Sequence, residues 1–369
     1  MNMKHTSIFT FLMIATINFS TIAYGATRFY GTGDLSGNIF RSEAIGVSPD
    51  GSVVVGASHT NVGGTNVTGG FVWTTQTGIQ PLTYPQGFGP GSYARGVAIT
   101  PTGIVVTGIV PHPPNSPQAY RWSPQEGMVA LGANCNNNLG PSDAYAISGD
   151  GSTVVGIGCP IYAFRWTQRY GMESLGALQN QNYNWAFDVS GDGGVIVGRS
   201  WGIGIAEAFM WTEENGMVGL GDLDGGEFKS SAQGVSYDGT LVVGYGTPKS
   251  NFPNVTEAFL WVEGKGMTGL GAIGPFPVPI SVANAVANTP NGAVVVGESG
   301  SIFPETDAFI WDEKNGMQNL RKVLMSEHGL QQLNQWKLMS ARDISADGKT
   351  IVGIGINPQG QQEGWVVTF

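Results

Sequence analysis

One sequence motif recurs seven times along this chain of 369 residues. It has the form A-x-x-V-S-x-D-G-x-x-V-V-G, and we align its copies at 44–56, 96–108, 144–156, 186–198, 232–244, 285–297 and 341–353. The interval between successive turn glycines is shortest from Gly151 to Gly193 and longest from Gly292 to Gly348. A period in this range indicates an array of supersecondary units that bury their cores against one another.

Each copy continues into an A-F-x-W element, and we assign its tryptophans as Trp73, Trp122, Trp166, Trp211, Trp261, Trp311 and Trp365. Six copies then reach a G-M-x-x-L-G element, which the seventh lacks. Near the other end of the chain, residues 28–37 match 216–225, which contain this element, with R-F-Y-G-T-G-D-L-S-G against G-M-V-G-L-G-D-L-D-G. Because the first and last segments of a repeat array meet only in a closed ring, we expect the N-terminal strand to complete the last unit.

Each unit has the pattern of four short strands. The D-G pair suits a tight turn between the first two strands, since Asp hydrogen-bonds nearby backbone and Gly adopts positive φ. The composition agrees, with 57 Gly and only 12% charged residues. The sequence therefore predicts an all-β fold, a seven-bladed β-propeller with four-stranded blades whose N-terminal strand closes the last blade. We expect one domain over 26–369, with a short helical insert at about 320–330.

The first 25 residues have the pattern of a secretory signal peptide. Lys4 precedes an apolar stretch, and small residues favour cleavage near Gly25 and Ala26. We expect a secreted protein, extracellular or periplasmic, with no transmembrane anchor, because the apolar stretch is too short to cross a bilayer. Such compartments are oxidising, so Cys135 and Cys159 are expected to form one disulfide, with two free thiols as the alternative.

The charge of the chain excludes some partners. Its formal net charge is −10, which disfavours a nucleic-acid partner, because phosphates are bound by Lys and Arg. Two cysteines without clustered histidines give no zinc pattern, and the sequence has no phosphate-binding or calcium loop. We therefore expect no metal and no cofactor.

The repeat units resemble the HAF-type extracellular repeat of secreted bacterial proteins. The resemblance rests on the succession of the three elements, with the hallmark E-A-F-x-W at 207–211 and 257–261. It covers essentially all of the chain after the predicted signal peptide. It implies secretion and a propeller-like array, and it supplies no activity and no functional residues.

Candidate binding residues lie where the units differ in length. The variable stretches fall between strands two and three and between one unit and the next, which places them on one face of the ring. Aromatic residues outside the repeat pattern on this face can stack on sugar rings or anchor a protein partner, and the candidates are Trp185, Trp201, Tyr93 and Tyr183. His59 and His112 occupy similar stretches in adjacent units and are further candidates.

We favour a secreted, non-enzymatic binding propeller that holds a polysaccharide, an envelope component or a protein partner on the variable face. The alternative is a secreted lyase or hydrolase with its site at the mouth of the central channel, which requires charged residues to converge near the axis, for instance Asp188, Arg342 and Asp343. A purely structural envelope protein is a third possibility.

Overall fold

A computed structural model describes residues 26–83, 91–112, 116–133, 140–250, 252, 255–274, 278–301 and 306–369. The predicted signal peptide, Cys135 and the side chain of His112 lie outside these residues. In this part of the chain, none of the helices combines the length and the apolar character needed to cross a membrane.

The strands form seven antiparallel sheets of four strands, which confirms the predicted seven-bladed β-propeller. Blade 1 consists of β2 (Ser42–Val47), β3 (Val54–Val62), β4 (Thr65–Thr74) and β5 (Gly78–Pro81), and blade 2 consists of β6 (Tyr93–Thr100), β7 (Gly103–His112), β8 (Ser116–Ser123) and β9 (Gly127–Ala130). Blade 3 consists of β10 (Ser142–Ile147), β11 (Thr153–Gly158), β12 (Tyr162–Thr167) and β13 (Gly171–Ser174), and blade 4 consists of β14 (Tyr183–Val189), β15 (Ile196–Gly202), β16 (Ile205–Thr212) and β17 (Gly216–Gly219). Blade 5 consists of β18 (Ser231–Val235), β19 (Leu241–Gly246), β20 (Glu257–Val262) and β21 (Gly266–Gly269). Blade 6 consists of β22 (Pro279–Thr289), β23 (Gly292–Ser301), β24 (Thr306–Asp312) and β25 (Gly316–Asn319). Blade 7 consists of β26 (Lys337–Ile344), β27 (Thr350–Ile356), β28 (Gln362–Thr368) and β1 (Arg28–Gly31).

The ring closes through the pairing of β1 with β28. Arg28 lies opposite Thr368 and Gly31 lies opposite Trp365, so the first strand is the outermost strand of blade 7. The first strand of each blade contacts the first strand of the next, and β2 contacts β26 to complete the circle. The prediction that the N-terminal strand closes the last blade is confirmed.

The third strand of each blade carries the aromatic residue that fills the core. These rings are at most 1% exposed, and they belong to Phe71, Tyr120, Phe164, Phe209, Phe259, Phe309 and Trp365. The glycine of V-V-G lies directly against the ring: a Cβ on Gly56 would approach Phe71 Cζ to 2.8 Å. Only glycine leaves the space that this ring needs.

Trp365 occupies the phenylalanine position of its blade, so its assignment to the repeated tryptophans is wrong. Trp365 pairs with Gly353 as Phe71 pairs with Gly56, and Val367 stands where the other blades have tryptophan. Side chains of the helical insert enclose the larger indole, and Leu324 belongs to the same buried cluster. The exchange therefore keeps one large ring in the core of the blade.

The S-x-D-G turns have the predicted chemistry. The Ser48 hydroxyl donates to Asp50 at 2.6 Å, and Ser48 accepts from the Val53 amide at 3.0 Å. Gly51 has φ of 73°, and the turn glycine of every blade has positive φ.

Blades 2 and 6 join their first two strands by a longer hairpin without this turn. Ala94 pairs with Gly108, and Ala283 pairs with Gly297, in the register that Ala44 has with Gly56. The sequence alignment that starts these two copies at residues 96 and 285 is therefore wrong by two residues. The D-G signal is absent in both blades, because Thr100 and Thr289 form the turn instead.

A serine or asparagine two residues before the first-strand alanine links neighbouring blades. Its side-chain oxygen accepts a hydrogen bond from a third-strand amide of the preceding blade, as Ser142 does from Ala119 at 3.0 Å. The same bond is made by Ser42, Ser92, Asn184, Ser230 and Ser281. These bonds satisfy buried amides at six of the seven blade interfaces.

The two faces of the ring differ in the length of their connections. On one face, in blades 1 to 6, the turn between strands three and four always consists of three residues, as in 75–77, and we call this side the uniform face. The connections on the other face vary, and this variable face also carries α1 (Leu320–Ser326) and a 3-10 helix (Gln331–Gln335). The stretch 57–70 is largely an extended hairpin of β3 and β4.

Candidate functional site

A funnel opens on the axis of the propeller, with a cavity volume of about 490 Å³. Its wall includes the two variable positions of A-x-x-V on the first strand, of which the first contributes in all seven blades and the second in five. The first of these positions forms one ring, which consists of Ile45, Arg95, Tyr145, Phe187, Gln233, Asn284 and Arg342. Seven equivalent backbone positions thus present seven side chains of mixed chemistry around one space, and we call this set the funnel ring.

Two residues further along each strand, a β-branched apolar residue lines the channel, and we call these seven residues the apolar girdle. These side chains are 5 to 8% exposed, and they are Val47, Val97, Ile147, Val189, Val235, Val286 and Ile344. Beyond this apolar girdle, the Tyr237 ring lies against Gly149 and Gly191. The funnel wall therefore carries side chains of mixed, largely polar chemistry toward the variable face and an apolar girdle toward the other face.

Five aromatic rings form a continuous series from the funnel ring to the variable face of blade 4. Their centroids are separated by 5.5 Å from Tyr145 to Phe187 and by 5.8 Å from Phe187 to Trp185. The series continues to Trp201 over 5.0 Å and to Tyr183 over 5.8 Å. Tyr183 is 45% exposed, so the aromatic series joins the funnel to solvent.

Two donors inside the aromatic series have no hydrogen-bond partner among the described residues. They are Trp185 Nε1 and Arg199 Nε, both buried. The Arg199 guanidinium lies 5.7 Å from the centre of the Trp201 ring. A buried donor without an acceptor carries a desolvation cost.

An ion pair stands at the start of the aromatic series. Arg95 Nη2 lies 3.0 Å from Asp143 Oδ2, and the guanidinium lies 4.5 Å from the centre of the Tyr145 ring. Burial raises the pKa of Asp143 to about 6, while the charge of Arg95 acts in the opposite direction. Asp143 Oδ1 is buried without a partner in the described part of the chain.

Two further aspartates line the funnel at the second variable position. Asp188 accepts hydrogen bonds at 2.8 Å from the Val189 amide and from the Val235 amide of the next blade. Asp343 accepts in the same way from Ile344 and from Val47. Burial raises the pKa of both carboxyls to about 7 against the effect of these amides, and Asp188 adds to the shift at Asp343. Each carboxylate thus joins two blades.

The structure brings together three of the candidate aromatic residues. Trp185 and Tyr183 lie on β14 and Trp201 on β15, so all three belong to strands rather than loops. Tyr93 lines the funnel from blade 2. Tyr145 and Phe187, which complete the series, were missed because they stand inside the repeat motif, and the varying letters of A-x-x-V are the signal that identifies them.

The histidine candidates lie apart from the aromatic series. His59 is on β3 and lines a second cavity of about 480 Å³ near Tyr93. His112 ends β7 of the next blade, and its side chain lies outside the described residues. Within the described residues, no group of three or more His, Cys, Asp or Glu side chains is arranged to hold a metal ion.

Cys159 is disulfide-bonded. Cys135 lies outside the described residues, so its pairing with Cys159 stays a prediction.

No protein-family model matches the sequence. No curated protein sequence matches it either. Among solved structures, the chain is similar to TolB from Acinetobacter baumannii, with a TM-score of 0.45 and 12% sequence identity over 87% of this chain and 81% of that chain. The seven-bladed ring itself rests on the strand pairing described above.

Proposed function

We propose that this chain is a non-enzymatic binding propeller that takes a glycan in the axial funnel and along the aromatic series. The observation that carries the proposal is the unbroken path of rings from Phe187 through Trp185 to the exposed Tyr183. Aromatic rings offer flat apolar faces for the C–H surface of sugars, and polar groups beside them fix orientation. The funnel volume of about 490 Å³ lies in the usual range for ligand sites.

The chemistry around the rings favours a glycan over a purely apolar ligand. The funnel wall also presents Gln233, Asn284 and Arg342, whose amide and guanidinium groups include both donors and acceptors. Sugar hydroxyls donate and accept, so one ligand class satisfies both kinds of group. An envelope polysaccharide fits this description, and a protein partner is the competing ligand.

The test is a glycan-array screen followed by titration calorimetry on the best ligand. We expect Tyr183→Ala and Trp201→Ala to weaken binding at least tenfold, because each removes one ring of the series. Tyr170→Ala is the matched control, since Tyr170 is 58% exposed on a turn of the uniform face. If no glycan binds, or if all three variants bind alike, the proposal is wrong, and a pull-down with envelope proteins then tests the protein partner.

A second candidate function is glycan cleavage by a lyase or hydrolase at the same mouth. The raised pKa values of Asp143, Asp188 and Asp343 favour it, because general acids near neutral pH need such values. Asp188 and Asp343 are engaged in joining blades. Asp143 is the candidate acid, because its Oδ2 pairs with Arg95 while its Oδ1 has no partner among the described residues. New reducing ends released from a bound polysaccharide by the wild type, and not by Asp143→Asn, would establish cleavage.

The location of the protein belongs to the same proposal. The signal-peptide pattern of residues 1–25 and the resemblance to HAF-type repeats support export from the cell. Fractionation of cells that produce the full chain, with N-terminal sequencing of the exported form, tests both export and cleavage near Gly25 and Ala26.

A further inference from the structure

The funnel ring holds its two aromatic members opposite one of its two cations, Arg342, while the other cation, Arg95, lies against the Tyr145 ring. Tyr145 and Phe187 come from blades 3 and 4, and Arg342 comes from blade 7. In a ring of seven, blades 3 and 4 are the two that lie furthest from blade 7. A ligand stacked on the aromatic side therefore directs its free edge toward Arg342.

Arg342 is the funnel cation that no carboxylate neutralises. Arg95 is paired with Asp143 at 3.0 Å, whereas the exposed Arg342 has no ion pair within the described part of the chain. The acidic group at the mouth, Glu43, is bound by Arg41 at 3.0 Å and by Gln362 at 2.7 Å. An exposed guanidinium without an ion pair on the funnel wall offers a site for an anion.

The two remaining funnel carboxyls do not oppose an anion at mildly acid pH. Burial raises the pKa of Asp188 and Asp343 to about 7, so that below this pH both are largely neutral. Their oxygens are also occupied by backbone amides of two blades. Arg342 then supplies the net charge of the funnel.

We infer that the glycan bound in the funnel is acidic, with a sugar ring stacked beside Phe187 and its carboxylate paired with Arg342. This inference rests on the proposed function and names its ligand class. A guanidinium presents parallel N–H donors that match the two oxygens of a carboxylate. A neutral sugar has no carboxylate to pair with this cation. Arg342 is therefore the residue that makes the protein prefer an acidic sugar over a neutral one.

The test compares two ligands that differ only in the acidic group, an oligogalacturonate and the neutral galactose oligosaccharide of equal length and linkage. Both are titrated at pH 6 and low salt into the full chain, into Arg342→Gln and into Arg121→Gln. Arg121 is the matched control, since it lies on β8 and pairs with Glu126 at 2.9 Å. We expect the wild type and Arg121→Gln to bind the acidic form at least tenfold more tightly. Arg342→Gln should lose that preference and keep its affinity for the neutral form.

Each outcome decides between the inference and the proposed function. Equal wild-type affinity for the two oligosaccharides, or an acidic preference that survives in Arg342→Gln, overturns the inference and leaves glycan binding intact. Binding of neither oligosaccharide, together with an empty glycan array, overturns both. Thermal unfolding of each variant checks the fold, and we expect no change for Arg342→Gln because this side chain is exposed.

Discussion

The funnel ring and the apolar girdle lie two residues apart on the same seven strands, and they differ in every respect. In the funnel ring the blades present Ile, Arg, Tyr, Phe, Gln, Asn and Arg, whereas in the girdle they present only Val and Ile. The girdle side chains are almost fully buried, and those of the funnel ring face an open cavity. We conclude that the girdle position stabilises the packing of the seven blades, whereas the funnel-ring position can carry the side chains that bind a ligand.

The strongest test of this difference introduces a carboxylate at each of the two positions of one strand. Val235→Asp should lower the free energy of unfolding by at least about 3 kcal/mol, because it buries a charge close to Asp188. Gln233→Asp, in the funnel ring of the same strand, should change it by less than about 1 kcal/mol. Urea unfolding followed by tryptophan fluorescence measures both.

One outcome would contradict this contrast. Equal effects of the two substitutions would show that the funnel ring is as structural as the girdle. If Val235→Asp fails to fold, Val235→Thr provides the graded test, with an expected loss of about 1 to 2 kcal/mol from the buried hydroxyl.

The second prediction concerns pH and separates two sets of aspartates. Burial raises the pKa of Asp343 from 3.8 to about 7, so its contribution to stability is present below about pH 4 and is lost as the pH rises toward 7. Hydrogen bonds from Ser190 and Gly194 lower the pKa of Asp192, whose contribution has the opposite sign and is lost in acid. Asp343→Asn should therefore flatten the fall in unfolding free energy between pH 4 and pH 7, as measured by urea midpoints.

Asp192→Asn is the matched variant for that measurement. It should leave the slope above pH 4 as in the wild type and reduce the loss of stability at lower pH. A wild-type stability that does not fall between pH 4 and pH 7 relative to Asp343→Asn would contradict the effect of burial on Asp343.

The third prediction tests the hydrogen bonds between blades. Ser142→Ala leaves the Ala119 amide and the Gly132 carbonyl without their partner, so we expect a loss of about 1 to 3 kcal/mol. Exposed Ser174→Ala should change the unfolding free energy by less than about 0.5 kcal/mol. Equal values for the two variants would mean that these bonds do not stabilise the ring.

The smallest expected effect belongs to a surface ion pair. Arg121 and Glu126 lie 2.9 Å apart, but the Glu126 side chain is largely exposed. Glu126→Gln should change the unfolding free energy by less than about 0.5 kcal/mol, because solvent screens such pairs. A larger loss would contradict the view that stability lies in the girdle and the blade interfaces.

The sequence alone predicts the fold well because the repeated positions are the structural ones. The D-G turns, the V-V-G glycines and the strand at 28–31 each follow from a motif, and each takes the predicted place. The alignment is wrong at Ala94, Ala283 and Trp365, because these blades keep the same packing with different residue types.

The candidate site is predicted only in part for a related reason. Trp185, Trp201 and Tyr183 stand out because they depart from the repeat, and the structure joins them. Tyr145, Phe187 and Arg95 do not stand out, because they occupy a position whose residue type differs from blade to blade. Ring closure predicts that first-strand residues such as Asp188, Arg342 and Asp343 approach the axis, but the repeat pattern does not tell which of the varying residues form the site.

The antiparallel pairing of β1 with β28 has a mechanical consequence. Arg28 faces Thr368, so a chain entering at residue 28 and one leaving at residue 368 emerge side by side. A force that pulls these two points apart loads the hydrogen bonds of the pair one after another, like a zipper, instead of all together. A tether attached at both points would therefore peel the outer edge of blade 7 before it strains any other blade.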